Sequence, residues 1–297
     1  MMRLSEMRLS SAVVLCVFLA GCADLSAIRD FSKTSADSAS FTGIVENYAE
    51  SPDTQLIYLY PEKRKAGEES HLRELKRISH EQAKELLNVL AAVTTYMSAI
   101  GNLAADKAAD PTENVNQLIS ELDSAKIIGT DLSKPASAVA SLVGKMVMDG
   151  YRQKDLRRAI RDANPQLQKI RQNLDILLNE KTGGFSLSLR AECTAISDYY
   201  DYWHNVAADH NEPAAAEILA FRKRAEIAAY GKNCKSADGL KFRDLANYQA
   251  VFDEIANGHQ ALFDNQGDLA NKALLATIKN YAMEIRSTMA TIKASKP

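Results

Sequence analysis

The chain has 297 residues, a formal net charge of −2 and a charged fraction of 25%. This balance excludes the strongly basic surface typical of nucleic-acid-binding proteins, so we expect no nucleic-acid partner. Only seven prolines and thirteen glycines interrupt the chain, and 7% of its residues are aromatic. Such a composition favours long helices over many short strands.

The chain starts with a short basic segment and an apolar run. Arg3 and Arg8 precede an uncharged stretch from Ser10 to Ala20. That stretch is too short to span a bilayer and has the proportions of a secretory signal peptide. It ends in Leu19-Ala20-Gly21-Cys22.

The box Leu19-Ala20-Gly21-Cys22 resembles that of bacterial lipoprotein signals, and the resemblance covers residues 1–22 only. It implies a signal peptide over 1–21, cleavage before Cys22 and acyl chains, including palmitate, on that cysteine. Ala23 follows it. In enteric-type lipoproteins aspartate at that position retains the protein in the inner membrane, so the resemblance implies an outer-membrane anchor with the body in the periplasm.

For residues 22–50 we expect a lipidated N-terminus followed by a first helix or a tether. Most of the apolar residues between Asp24 and Glu50 fall on one helical stripe, which favours a helix. The serines between them would also suit a flexible tether. Ser51-Pro52-Asp53 is expected to break the helix, so the helical bundle domain is predicted over 51–297.

One minor β element is an open alternative within this helical pattern. Residues 55–61 are strand-like, and residues 185–189 alternate with period two. Together they could form a two-stranded pair, but isolated pairs of this kind are marginal.

The longest helical pattern runs from about Glu68 to Ala105 with a coiled-coil-like seam. Its second half, from Leu86 onward, contains no charged residue. That length suits a membrane-crossing helix, but the interspersed Asn, Thr and Ser would be costly in hydrocarbon. The pattern therefore predicts a central core helix.

Further helical patterns follow to the end of the chain. We expect a short helix from Pro111 to Lys126, then one long helix over 135–180 that is kinked at Asn164 by Pro165. A hairpin of two helices then turns near Asn211, and the last two helices flank Gly267. The sequence thus predicts an all-α, elongated antiparallel bundle of long amphipathic helices.

The cysteines that remain after Cys22 are Cys193 and Cys234. If residues 187–231 form a helical hairpin, each cysteine lies roughly twenty residues from the turn, at about 1.5 Å per helical residue, so both are at the same end. In an oxidising envelope this placement favours a disulfide over two free thiols.

Motifs for catalysis are lacking in the sequence. There is no nucleophile elbow, phosphate-binding loop or dinucleotide-binding glycine pattern. His80-Glu81 lacks the second histidine of a zinc helix, and Asp201-x-x-His204 is a single pair where a di-iron bundle needs two. We therefore expect no enzyme, no metal and no cofactor.

Two surfaces are candidates for binding. Lys154, Arg157, Arg158 and Arg161 form a basic stripe that could meet lipid phosphates or peptidoglycan carboxylates, or could be a solvated face paired with nearby aspartates. The second is an aromatic group that is too wide for one seam, so some of its rings should reach the surface while others pack in the core. Its members are Tyr199, Tyr200, Tyr202 and Trp203.

The favoured function is a membrane-anchored envelope lipoprotein that acts as a non-enzymatic interaction or structural module. Its partners would be the membrane, through the lipid anchor, and an envelope protein or peptidoglycan. The alternatives are a helical membrane-inserting or pore-forming protein and, third, a metal- or ligand-binding bundle. The sequence leaves the oligomeric state open.

Overall fold

The computed structural model describes residues 24–109, 115–124, 132–179, 181–236 and 238–295, and over these ranges the fold is all-α with no strand. Short 3-10 turns precede α7 and follow α9. The helices are α1 Ser26–Ala39, α2 Gly43–Ile57, α3 Pro61–Lys65, α4 Glu68–Ala104, α5 Val115–Ser124, α6 Ser133–Met148, α7 Leu156–Leu178, α8 Gly184–Asp209, α9 Pro213–Ile227, α10 Leu240–Asp264 and α11 Lys272–Ala294. The predicted bundle of long helices is confirmed.

Helix α4 is the central element of the bundle, packing against α1, α2, α5, α6 and α7. Its uncharged half is largely buried, with Leu90 and Val93 at most 2% exposed. Among the described helices, α4 alone has the length and apolar character needed to cross a membrane, and 61% of that apolar window is buried. The burial accords with the predicted core helix, because a helix that is apolar on several sides needs partners on several sides.

One end of the bundle gathers the start of α1, the end of α4 and two interhelical connections. Gln153, between α6 and α7, donates a hydrogen bond to the carbonyl of Ala104 at 3.4 Å. Leu25, which directly precedes α1, lines a cleft with Leu156 and with Leu269 of the α10–α11 connection. We call this the Leu25 end.

The opposite end contains the start of α4 together with α2, α3, α8 and α9. Helix α8 packs mainly on α9 and α2, and α9 packs on α8 and the turn that follows it. This end has its own small core, which includes Cys193, Ile196 and Phe242.

Several boundaries differ from the sequence prediction. Residues 24–50 form parts of two helices, α1 and α2, and the predicted break at Pro52 lies inside α2. Pro52 is buried there, and packing of α2 on α4 and α8 outweighs the lost backbone bond. The strand-like residues 55–57 end α2, and residues 185–189 belong to α8, so the β pair does not form.

The single helix predicted over 135–180 is wrong. Helix α6 ends at Met148, and the chain turns at Gly150, whose φ of +62° is readily accessible to glycine. It resumes as α7 at Leu156 and runs through Pro165. The apolar phase continues across the turn because α6 and α7 both bury one face against α4.

Candidate interaction surface

The lipobox and Cys22 lie outside the described residues, which begin at Asp24. The acylation of Cys22 therefore stays a prediction from the sequence. The remaining candidate residues are all placed by the structure.

Cys193 and Cys234 lie together at the end of the α8–α9 hairpin that is away from its turn. Their Cα atoms are 5.3 Å apart and their sulfurs are at disulfide-bonding distance. The hairpin turns at Asn211, which has a φ of +57°. The predicted placement of both cysteines at the same end of the hairpin is therefore confirmed, and the pair ties α8 to the segment after α9.

A buried polar network lies beside the cysteine pair. Tyr230 donates a hydrogen bond to Glu192 at 2.6 Å, and Lys241 of α10 donates to the same carboxylate oxygen at 2.9 Å. The Lys241 ammonium also lies 4.3 Å from the centre of the Tyr230 ring. Burial and the Glu192 charge raise the pKa of the Tyr230 phenol, so it stays a protonated donor.

This network borders a small cavity of about 40 Å³ that Asp244 also lines. A space of this size holds about one water molecule. Because every charged group of the network is engaged, the network holds α8, α10 and the segment after α9 together.

The aromatic group is larger than the sequence predicted. Tyr58 and Tyr60, which follow α2, join it: the Tyr58 ring meets Tyr199 edge-on at 5.5 Å, and Tyr60 stacks on Tyr202 at 4.8 Å. Trp203 in turn meets Tyr202 edge-on at 5.0 Å. Sequence reasoning missed Tyr58 and Tyr60 because it placed them in a strand-like segment, far along the chain from Tyr199 and Tyr202.

Two carboxylates fix the phenols of this cluster. Glu226 accepts hydrogen bonds from Tyr58 and, at 2.7 Å, from Tyr200, while Glu62 accepts one from Tyr202 at 2.9 Å. Burial and the Glu226 carboxylate raise the pKa of Tyr200 to about 12. These phenols are therefore neutral donors over the physiological pH range. Tyr200 is the buried member, at 5% exposure, and the others are half-buried.

An open groove of about 290 Å³ runs along one side of the cluster. Its walls combine two tyrosines and two leucines with charged residues of both signs. Among them are Tyr58, Leu59, Tyr60, Lys63, Leu72 and Arg190. Such a groove can take a ligand that has an apolar face and polar or charged substituents. We call it the aromatic groove.

The basic stripe lies at the Leu25 end, far from the aromatic groove. Its members are exposed on the first turns of α7 or directly before that helix. Arg161 and Arg158 approach Asp162 at 3.1 and 3.8 Å, and Arg158 also lies 5.5 Å from the Tyr151 ring centre. The two predicted surfaces therefore belong to separate regions of the molecule.

Within the described ranges, no cluster of three or more His, Cys, Asp or Glu residues could hold a metal ion. His80 is 3.9 Å from Asp53, and Asp201 forms an ion pair with Lys223 at 2.6 Å. Both near-miss motifs are thus part of surface contacts.

Comparison of the chain with protein-family models, curated proteins and solved structures finds no match.

Proposed function

We propose that the protein is a lipid-anchored component of the bacterial envelope that works by binding rather than catalysis. The observation that carries this proposal is the complete box Leu19-Ala20-Gly21-Cys22 at the end of a signal-length apolar run. The pairing of Cys193 with Cys234 supports it, because structural disulfides persist in oxidising compartments such as the periplasm.

The aromatic groove is the contact surface that the geometry favours. Tyr58 and Tyr60 line it, and half-buried tyrosines are typical of binding surfaces, since each combines a large apolar face with a polar tip. Lys63 and Arg190 line the same groove together with Glu68 and Asp198, and Lys63 lies 3.5 Å from Glu68. These charges of both signs suit peptidoglycan peptides or an envelope protein that carries charged groups of both signs. The outer membrane is the proposed location of the anchor, with the body in the periplasm.

Substitution of the anchoring residue tests the proposed location. Cys22→Ser should move the protein from the membrane fraction to the soluble fraction, or leave it as unprocessed precursor. Cys16→Ser is the matched control, because Cys16 lies in the segment removed with the signal. Mass spectrometry should find an acylated Cys22 at the mature N-terminus. A mature chain that starts elsewhere would contradict the proposal.

Photocrosslinking in living cells tests the groove. A photoreactive residue at Gln55, which lines the groove, should give defined adducts. The same residue at Met283, which is 55% exposed on α11, should give none. Equal adducts at both positions, or none at Gln55, would contradict binding in the groove.

Membrane insertion is the second candidate, favoured by the length and apolar character of α4. Against it, Leu90 and its neighbours on α4 are buried among other helices. Dose-dependent leakage of liposomes by the delipidated protein, abolished by Leu90→Asp in a variant that still folds, would promote this candidate over the first.

A further inference from the structure

The Leu25 end is joined to the proposed anchor by a very short stretch of chain. Leu25 is 6% exposed and is held by the bundle, and its carbonyl accepts the first helical bond of α1 from Arg29 at 3.0 Å. Three residue steps separate Cys22 from Leu25. A fully extended chain covers at most about 3.3 to 3.6 Å per residue, so Leu25 lies within about 10 Å of the acylated residue.

Cationic side chains border that same point. Lys154 and Arg157 line one cleft with Leu25, and both are exposed. Among the described residues, neither has a carboxylate within ion-pair distance, unlike Arg158 and Arg161.

The carboxylates near this cleft accept local backbone hydrogen bonds or pair with other arginines. Asp155 accepts the backbone N–H of Arg152 at 3.0 Å, and Asp268 accepts that of Ala270 at 3.2 Å. Asp162 is shared by two arginines. Among the described residues that line the cleft, Lys154 and Arg157 are the cations and Asp268 is the one carboxylate, so the cleft has a net positive charge.

We propose that the Leu25 end rests on the membrane that holds the anchor and that Lys154 and Arg157 contact the phosphates of its anionic lipids. The proposal rests on the proposed lipidation of Cys22. Met148, at 81% exposure, ends α6 at the same end of the bundle and adds an apolar side chain to this surface. Cations near an anionic lipid surface are attracted to it, so these two residues orient a protein that its acyl chains retain.

Lysine footprinting of the full lipidated protein tests the orientation. The protein is reconstituted in vesicles of phosphatidylglycerol and phosphatidylethanolamine, treated with an amine-reactive label and compared with the same protein in detergent. Lys154 should be labelled about fivefold more slowly in vesicles. Lys181, exposed beyond the far end of α7, should react equally in both.

Equal labelling of Lys154 in vesicles and detergent would overturn the orientation, as would equal protection of Lys181. Either result leaves the anchor itself intact, because acylation of Cys22 is read separately by mass spectrometry. Arg157→Gln should reduce the protection of Lys154, whereas Lys169→Gln, a matched loss of charge further along α7, should not. An unchanged footprint in the Arg157 variant would overturn the phosphate contact.

Discussion

The hydroxyl of Tyr96 lies 2.7 Å from Nε2 of His259 in the centre of the bundle, where both residues are fully buried. The amide oxygen of Asn164 lies 2.9 Å from the other ring nitrogen, Nδ1. Burial lowers the pKa of His259, so the imidazole is neutral; with its Nδ1–H donated to Asn164, Nε2 accepts from the Tyr96 hydroxyl. This contact joins α4, α7 and α10 through polar groups in an otherwise apolar core. This network is structural, because both ring nitrogens of His259 already have a partner inside the protein.

The first prediction concerns acid stability. Burial lowers the pKa of His259 to about 3, against an ordinary value of 6.5. The unfolded chain therefore binds a proton that the folded chain does not, and stability is lost as the pH falls from about 6.5 toward 3. Between pH 7 and pH 5 this proton should cost about 2 kcal/mol of unfolding free energy.

Urea denaturation at pH 7 and pH 5 measures this loss. In His259→Gln the same change of pH should cost about 2 kcal/mol less, whatever the variant's stability at pH 7. Equal pH sensitivity of the two proteins would show that His259 is not the titrating group.

The second prediction concerns Cys193 and Cys234. Purified oxidised protein should contain no free thiol from this pair, and reduction should lower the unfolding free energy. Their sequence separation of 41 corresponds to about 4 kcal/mol in the chain-entropy account. The double variant Cys193→Ser, Cys234→Ser is the control, because its stability should not respond to reductant. Two reactive thiols in the native protein would contradict the pairing.

The third prediction concerns the contact between α1 and α10. A Cβ added at Gly258 would lie 2.5 Å from atoms of the Phe31 ring, which is fully buried. Gly258→Ala should therefore destabilise the protein by about 1 to 3 kcal/mol through overpacking. Gly144→Ala on α6 is the control: its added Cβ would make an ordinary contact at 3.6 Å and should not destabilise.

Thermal unfolding of both variants measures the difference. Phe31→Leu in the Gly258→Ala background should recover part of the loss, since the smaller side chain vacates the ring position. Equal stability of the two alanine variants would refute a close approach at Gly258.

The fourth prediction concerns the basic stripe. Replacing Arg157, Arg158 and Arg161 with glutamine should change the unfolding free energy by about 1 kcal/mol or less in total, because all three are exposed. Arg171→Gln is the comparison: it removes a charged hydrogen bond at 2.5 Å to Asp253 on α10 and should cost about 1 to 2 kcal/mol. A triple variant less stable than the Arg171 variant would contradict a purely surface role.

Prediction from sequence succeeded where one physical pattern dominated. The apolar period of α4 and the similar spacing of Cys193 and Cys234 on either side of Asn211 each determined a local geometry that the structure confirms. It failed where tertiary packing decided between options. Pro52 lies inside α2 because that helix packs against α4 and α8. Helices α6 and α7 share one apolar period although the turn at Gly150 separates them.

The aromatic groove illustrates the same limit for the candidate site. Tyr58 and Tyr60 are more than a hundred residues from Tyr199 and Tyr202, so no local pattern reveals that their rings meet. The sequence pattern alone showed the cations at the Leu25 end as a basic stripe. Their proximity to Leu25, and hence to the chain that leads to Cys22, follows only from the folded connections.

The length of α4 sets the reach of the molecule. Leu72 lines the aromatic groove, and Ala104, 32 residues later on the same helix, lies at the Leu25 end. At 1.5 Å per residue, one continuous helix separates these two regions by about 48 Å. If the Leu25 end rests on the membrane with α4 along the membrane normal, a partner held in the groove would stand off from the headgroups by about that span. Each residue inserted into or deleted from α4 would rotate its buried face by about 100° and disrupt the packing of the core. The length of α4, and with it this distance, is therefore fixed by the core.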